Sequence, residues 1–382
     1  MEHVANENGL RVGVVGLGAA GLAAAWAAAK DGCRVVGYEQ SDLDNQPASS
    51  GGRGKIIRFG YDDPFYADLM SSTMPRWESL SRQTGRTLMR RDGGLHFGDV
   101  DAVATVAGAI RGAEQPYDVI GPSDARLAQF GIAIGAGESA VYEPSAGVMD
   151  TTQVRMALAE AARAAGAALR EHSAVTAIEP VASGPVGFRI RTADGVDECD
   201  RVIVAGGPWA FRLVPEAADA FAITRRFQLV FRTETPLGDG RPRPWMDYSG
   251  AGYYGMINLG GEPVHIAGLH QHDREQHVDD PGEPDDLAIR AESIAEVSRV
   301  VTQRFGLTEP LDVIDVRACH YTSTPSTDFV IDDCPGLPGA VLLSACSGHG
   351  FKFTITTGAL AASAATGADV PHRFRLGLAS RT

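Results

Sequence analysis

Lysine is almost missing from this chain. Of 34 basic side chains only Lys30, Lys55 and Lys352 are lysines. A coding bias toward arginine and alanine explains the trend, and it marks the three survivors as positions where arginine does not serve equally well. Cysteine is also sparse. Cys33, Cys199, Cys319, Cys334 and Cys346 are scattered with no CxxC pair, which argues against a disulfide framework or zinc site and for a reducing, cytoplasmic setting. No apolar run near the N-terminus can span a bilayer, since the longest, Ala19–Ala29, is short and built of small residues. The opening MEHVANENGL has neither a basic n-region nor an apolar h-region, so no secretion signal is expected. Excess positive charge is absent too. The formal net charge is -14, and without a basic patch neither nucleic acid nor an anionic membrane is an expected partner. Repeats and low-complexity linkers are lacking.

What is present begins with a βαβ unit. Arg11–Gly16 reads as a buried strand, an alanine-rich helix runs to about Lys30, and Arg34–Glu39 reads as the next parallel strand. Between the first strand and the helix stands Gly16-Leu-Gly18-Ala-Ala-Gly21. In such a GxGxxG turn the first glycine permits the tight bend, the second admits a pyrophosphate to the backbone, and the third lets helix and strand pack closely. The helix N-terminus then offers N–H groups to the phosphates. Glu39, at the end of the second strand, suits ribose hydroxyls and repels a 2′-phosphate. These residues predict a dinucleotide but do not separate FAD from NAD.

The 382 residues, 44% of them hydrophobic, suggest two domains. Helices are expected over Asp63–Thr84, Met149–Ala165, Asp286–Phe305 and Thr354–Thr366. Strands are expected at Gly93–Asp99, Ala174–Pro180, Gly187–Thr192, Arg201–Ala205, Phe227–Thr233, Tyr253–Ile257, Val264–His270 and Val313–Thr322. In the last of these, Arg317, Cys319 and Tyr321 share one face, and a guanidinium beside Cys319 lowers a thiol's pKa. The residues alone favour a buried, inert cysteine over a reactive one.

Over nearly its full length the chain resembles the monomeric sarcosine oxidase family of FAD-dependent amine oxidases, which includes N-methyltryptophan and pipecolate oxidases. The resemblance rests on VVGLGAAGLAAAWAAAKDGCRVVGYEQ, SSGGRGKIIRFGY, EPSAGVMD, DRVIVAGGPWA, ACHYTSTPSTDFVID and SGHGFKF. It implies an α/β fold in which a Rossmann-like FAD-binding domain (1–90, 142–222 and 315–382) is interrupted by a mainly antiparallel substrate domain (91–141 and 223–314). It implies FAD held through Gly54, Lys55, Gly206, Trp209, Gly348, His349, Gly350 and Lys352 as well as the nucleotide fingerprint, with a thioether from Cys319 to the flavin 8α-methyl group. Arg58 and Lys352 match residues that bind a substrate carboxylate, and Tyr254 and Tyr321 match tyrosines lining the pocket. Read without the family, Arg58 could instead form a surface salt bridge and Lys352 could snorkel to solvent.

The implied reaction is oxidation of a C–N bond in a small amine or imino acid. The substrate is a small molecule, oxygen is the acceptor, no metal is needed, and the protein is a monomer or small homo-oligomer. The sequence departs from the family at the two basic residues beside the flavin. Lys55 stands where an arginine is usual, and the position of the oxygen-activating lysine falls on His265 when the segment from Tyr254 is read without gaps. A protonated His265 or Lys55 could supply that charge, or another acceptor could replace oxygen. A tailoring oxidase of a cyclic imino acid, a dehydrogenase and a non-catalytic flavin sensor remain alternatives. An NADPH-dependent monooxygenase would want a second nucleotide site, and no second GxGxxG is read between a strand and a helix; Gly250–Gly255 has the string but leads into strand-like YYGMI.

Overall fold

The computed structural model describes residues 9–43, 49–181, 187–270 and 275–379. The acidic N-terminal segment, and Ala48 at the start of the Gly/Ser-rich stretch, lie outside the described residues. Six strands form one sheet in the order Val330–Asp333, Ala340–Ser344, Arg201–Val204, Arg11–Val15, Arg34–Tyr38 and Ala168–Arg170. All neighbours are parallel except the edge pair Val330–Asp333 and Ala340–Ser344. The near-continuous apolar runs RVGVV, RVIV and AVLLS follow from burial on both faces. Helices Ala19–Lys30, Thr151–Ala164 and Thr354–Ala365 cover one face. A three-stranded antiparallel sheet, Val175–Pro180, Phe188–Thr192 and Gly195–Cys199, contributes to the core on the other.

Three of the longer helices start where a carboxylate caps them. Asp63 accepts from the Phe65 N–H at 2.9 Å, Asp150 from Gln153 at 2.9 Å and Asp286 from Ala288 at 2.9 Å. The cap on Asp150 begins that helix at Thr151, and Met149 belongs instead to a short strand, Gly147–Met149. Helices Ala19–Lys30 and Thr354–Ala365 approach through small residues, and a Cβ on Gly358 would stand 2.6 Å from the Ala23 Cβ. Gly358→Val is therefore expected to cost about 1–3 kcal/mol by overpacking. A urea midpoint equal to or above the native one would contradict this reading.

A nine-stranded mixed sheet forms the second layer, with Ala222–Arg232 hydrogen-bonded on one side to Val264–Leu269 and along its length to Asp312–Ser323. Helix Leu287–Phe305 packs Val297, Val300, Val301 and Phe305 against Leu229, Phe231, Trp245 and Leu269 on one face of this sheet. Expected boundaries at 142 and 315 fall inside strands Ser139–Glu143 and Asp312–Ser323, both of the second sheet. Helix Val100–Gly112, capped by Asp99, occupies part of a stretch whose sequence reads only as mixed.

Candidate active site

A cavity of about 810 Å³ opens between the two layers. One wall is the carboxyl end of the parallel sheet, with Gly16, Glu39, Gly206 and Ala345, and the facing wall is the second sheet, with Gln228, Tyr254, Met256 and Tyr321. Ligands in open α/β sheets bind at such strand ends. Gly16 has φ +90, and a Cβ there would lie 2.7 Å from the Ala205 carbonyl oxygen and the Gly206 Cα. A Cβ on Gly21 would meet the Gly16 carbonyl at 1.9 Å, so this glycine serves close packing and stands outside the cavity lining. Gly18 caps the helix without a side chain and lines the cavity. Glu39 accepts from the Leu17 N–H at 2.9 Å and from Ser41 N–H and hydroxyl at 3.2 Å, which aims the carboxylate beside the glycine turn. A carboxylate has capacity for further donors such as ribose hydroxyls.

The SGHGFKF segment forms a tight loop running into helix Thr354–Ala365. Gly348 has φ +76, and a Cβ there would be 2.3 Å from the Tyr321 ring. His349 sits among Tyr61, Tyr66 and Phe329, with ring centroids 5.7, 4.7 and 4.7 Å away. Its Nε2 donates to the Thr327 carbonyl at 3.0 Å. Burial, reinforced by the Lys352 charge, pushes its pKa down to about 3, so it is neutral.

Lys352 is only 5% exposed. Its ammonium donates to the Tyr61 hydroxyl at 2.8 Å and to the His349 carbonyl at 2.9 Å. The Trp77 indole N–H anchors the Lys352 carbonyl at 2.6 Å. Arg58 donates to the Gly60 carbonyl and, at 2.9 Å, to the Tyr248 hydroxyl, and it lies over the Tyr61 ring at 4.6 Å. Both cations line the cavity, together with Lys55. Among the described residues no carboxylate pairs with any of the three. Burial, then the charges of Arg58 and Lys55, hold the Lys352 ammonium well below its ordinary pKa. Cations with neutral partners, Lys352 buried and Arg58 half-buried, make a site that favours an incoming anion.

Tyr254 accepts a hydrogen bond from Gln228 Nε2 at 2.6 Å and is hydrogen-bonded to Tyr321. Burial raises the pKa of both phenols, so each is a neutral hydrogen-bonding group. Cys319 is buried on the same wall, with Arg226 opposite it in the strand register. The Arg226 guanidinium lies 4.7 Å from the Tyr321 ring centroid and is ion-paired with Glu275. The expected cation Arg317 does not line the cavity, whereas Gly54, Trp209 and Gly350 do.

His265 departs from expectation. It pairs with Phe231 on strand Val264–Leu269, is fully buried and is not part of the cavity wall. Alternation places it with Ala267 and Leu269, which pack into the core under helix Leu287–Phe305, while Gly268 is the residue that approaches Tyr254. Its Nδ1 accepts from the Asn258 N–H at 3.1 Å, so Nε2 carries the proton toward Thr233 Oγ1 at 2.8 Å. Burial pushes its pKa down to about 4. His265 therefore supplies no positive charge to the cavity near neutral pH.

The sequence reading missed Tyr61, Tyr248 and Gln228. Tyr61 lay inside the quoted IIRFGY motif. Tyr248 and Gln228 carry no local signal, because their partners Arg58 and Tyr254 are distant in the chain.

A family model described as DAO, FAD dependent oxidoreductase, matches residues 11–364. Monomeric sarcosine oxidase from Streptomyces avermitilis is 29% identical over 380 residues, covering 95% of both proteins. N-methyl-L-tryptophan oxidase from Yersinia pestis is 26% identical over 363 residues, 91% of this chain and 93% of that protein. Among solved structures, the open form of NikD, described as an unusual amino acid oxidase essential for nikkomycin biosynthesis, matches with a TM-score of 0.82 at 23% identity over 96% of both chains. L-proline dehydrogenase from P. horikoshii matches with a TM-score of 0.80 at 20% identity, covering 96% of this chain and 97% of that one. These structures share the fold. Among the described residues, no helix is long and apolar enough to cross a membrane.

Proposed function

This chain belongs to the DAO family of FAD-dependent oxidoreductases, and from that premise we propose that it oxidises the C–N bond of a small amine or imino acid bearing a carboxylate, with oxygen as acceptor. The observation that carries the reading is the pair of cavity cations, half-buried Arg58 and buried Lys352, whose polar partners are phenol hydroxyls and backbone carbonyls. The chain's residues fit FAD. The Gly16–Gly18 turn receives the pyrophosphate, Glu39 the ribose, and the Gly348–Gly350 loop and Lys55 the flavin end. FAD, when bound, supplies the two-electron acceptor, which the protein orients and tunes.

Arg58 grips the carboxylate through a planar fork and Lys352 adds a point charge. Together they fix the orientation of the reacting C–H, the positioning contribution on which such a reaction depends. Tyr254, held by Gln228 and Tyr321, presents a neutral hydroxyl to the substrate. It does not serve as the base, and the amine reacts in its unprotonated form.

The reading is tested by anaerobic mixing with sarcosine, N-methyl amino acids, proline, pipecolate and piperideine carboxylates. At least one is expected to bleach the flavin rapidly, and its methyl ester slowly. Equal rates for acid and ester would remove the carboxylate from the proposal, and a flavin bleached by no amine would mark a sensor.

Cys319 is proposed to hold the cofactor covalently, because its buried thiol lines the cavity beside Tyr321. Acid precipitation of the native protein is expected to carry the yellow colour into the pellet, and Cys319→Ser is expected to release it. Colour left wholly in the native supernatant excludes the link.

A further inference from the structure

A chain of hydrogen bonds runs from the cavity to a buried carboxylate that is not part of its lining. Glu143 is fully buried on strand Ser139–Glu143. It accepts from the Phe59 N–H at 2.7 Å, the Gly60 N–H at 3.0 Å and the Ser145 hydroxyl at 3.2 Å. His96 Nε2 lies 2.9 Å from Glu143 Oε2, and His96 Nδ1 lies 3.1 Å from the Tyr248 hydroxyl. Tyr248 in turn receives Arg58 Nη1 at 2.9 Å. Of these hydrogen-bonded residues, Tyr248 and Arg58 line the cavity and His96 and Glu143 do not.

The donor directions follow from the ends inward. Glu143 is held below the ordinary carboxylate range, because its hydrogen bonds outweigh the penalty of burial. It is ionised and can only accept, so His96 Nε2 carries a proton. Burial holds His96 below its ordinary pKa despite Glu143, so the ring is neutral and Nδ1 is an acceptor. The Tyr248 hydroxyl must therefore donate to Nδ1, which turns an oxygen lone pair to the guanidinium. His96 and Tyr248 stack at an interplanar angle of 17°, which fixes the phenol's plane.

Resting on the carboxylate-clamp reading above, we propose that Glu143, His96 and Tyr248 form a positioning relay that holds Arg58 in place without neutralising it. A carboxylate in direct contact with Arg58 would make a closed ion pair and compete with the substrate anion. Two neutral rings set between them keep the orienting effect and leave the positive charge for the ligand. Glu143 also grips the backbone N–H of Phe59 and Gly60, just after Arg58, so one carboxylate positions the arginine from its backbone and its side chain together. His96 and Tyr248 thereby tune recognition of an anionic substrate group, and neither touches the reacting atoms.

The test uses the FAD-loaded enzyme titrated with acetate, followed by the flavin absorbance change, with acetamide as the neutral control. Tyr248→Phe keeps the ring and removes the hydroxyl. It is expected to weaken acetate about tenfold, the scale of one hydrogen bond to a charged group, with acetamide unmoved. For a carboxylated substrate KM rises while the limiting rate of flavin reduction stays. His96→Leu is expected to weaken acetate as well, and in the Tyr248→Phe background to add less than it costs alone, because the side-chain route to Arg58 is already cut. Unchanged acetate binding in Tyr248→Phe, or additive losses in the double variant, overturns the relay. If Tyr248→Phe holds no flavin, His96→Leu alone decides: unchanged acetate binding overturns the relay and weaker binding supports it. Arg58→Ala separates the two readings. If it too leaves acetate binding unchanged, the clamp itself fails, whereas a loss in Arg58→Ala without one in Tyr248→Phe removes only the relay.

Discussion

Lys352→Met lowers kcat/KM for a carboxylated amine by about 10²–10⁴-fold, and Arg58→Ala does so by a similar factor. Truncating one partner of a desolvated, hydrogen-bonded charge pair costs about 3–5 kcal/mol, and each 1.4 kcal/mol is tenfold. Lys352 is the more sensitive position because its 5% exposure leaves no water to replace the lost ammonium. An amine without a carboxylate gains nothing from either cation, so its kcat/KM should change little. Steady-state kinetics on an amino acid and its decarboxylated analogue check this. A loss shared equally by both substrates would mean that the two side chains support the fold or the cofactor and not the carboxylate.

The same geometry sets a pH dependence. Burial and the neighbouring Arg58 and Lys55 charges hold the free Lys352 pKa well below its ordinary value, and a bound carboxylate raises it again. Between those two values binding takes up a proton. Carboxylate affinity is therefore full at low pH and falls by up to about tenfold per pH unit as pH rises through the free-site pKa. Lys352→Met abolishes that slope. Acetate titrations across pH read it directly, and an unchanged slope in the variant would place the titrating group elsewhere.

What could be read from the sequence was local. The GxGxxG turn and the acid after the second strand are neighbours along the chain, so their geometry follows from one βαβ unit. The Gly-His-Gly-Phe-Lys loop is likewise continuous, and the resemblance carried by it and by ACHYTSTPSTDFVID pointed to Lys352 and Cys319, both of which line the cavity. His265 went astray for a reason internal to strands. Side chains alternate, so a shift of one residue moves a position to the other face. That parity is set in the turn before the strand, where Asn258 at φ +53 and Gly260 and Gly261 at φ +69 and +87 determine how the hairpin returns. The Tyr248–His96–Glu143 relay was illegible for a different reason. Its members sit on three strands of the second sheet or the loop leaving one, and only the lateral order of that sheet makes them neighbours.

With His265 neutral and turned into the core, and Arg212 ion-paired with Asp280, Lys55 and the two clamp cations are the lysine and arginine charges left to meet oxygen among the described residues lining the cavity. The clamp cations are taken up by the substrate carboxylate in the proposed complex, which leaves Lys55, on the short strand Lys55–Ile57, as the free one. The first electron delivered to oxygen makes an anion, and a fixed positive charge in a water-poor cavity lowers that barrier. Lys55→Met is accordingly expected to slow oxidation of the reduced enzyme by oxygen about 10²–10³-fold, the scale of losing one fixed electrostatic group, while anaerobic reduction by substrate stays near the native rate. His265→Phe should leave the oxygen rate unmoved. Stopped-flow mixing of the pre-reduced enzyme with oxygen measures both. A rate unchanged in Lys55→Met and lost in His265→Phe would reverse the assignment. If the native enzyme itself reacts slowly with oxygen and quickly with a dye, Lys55 serves the cofactor and not the gas, and the protein works as a dehydrogenase.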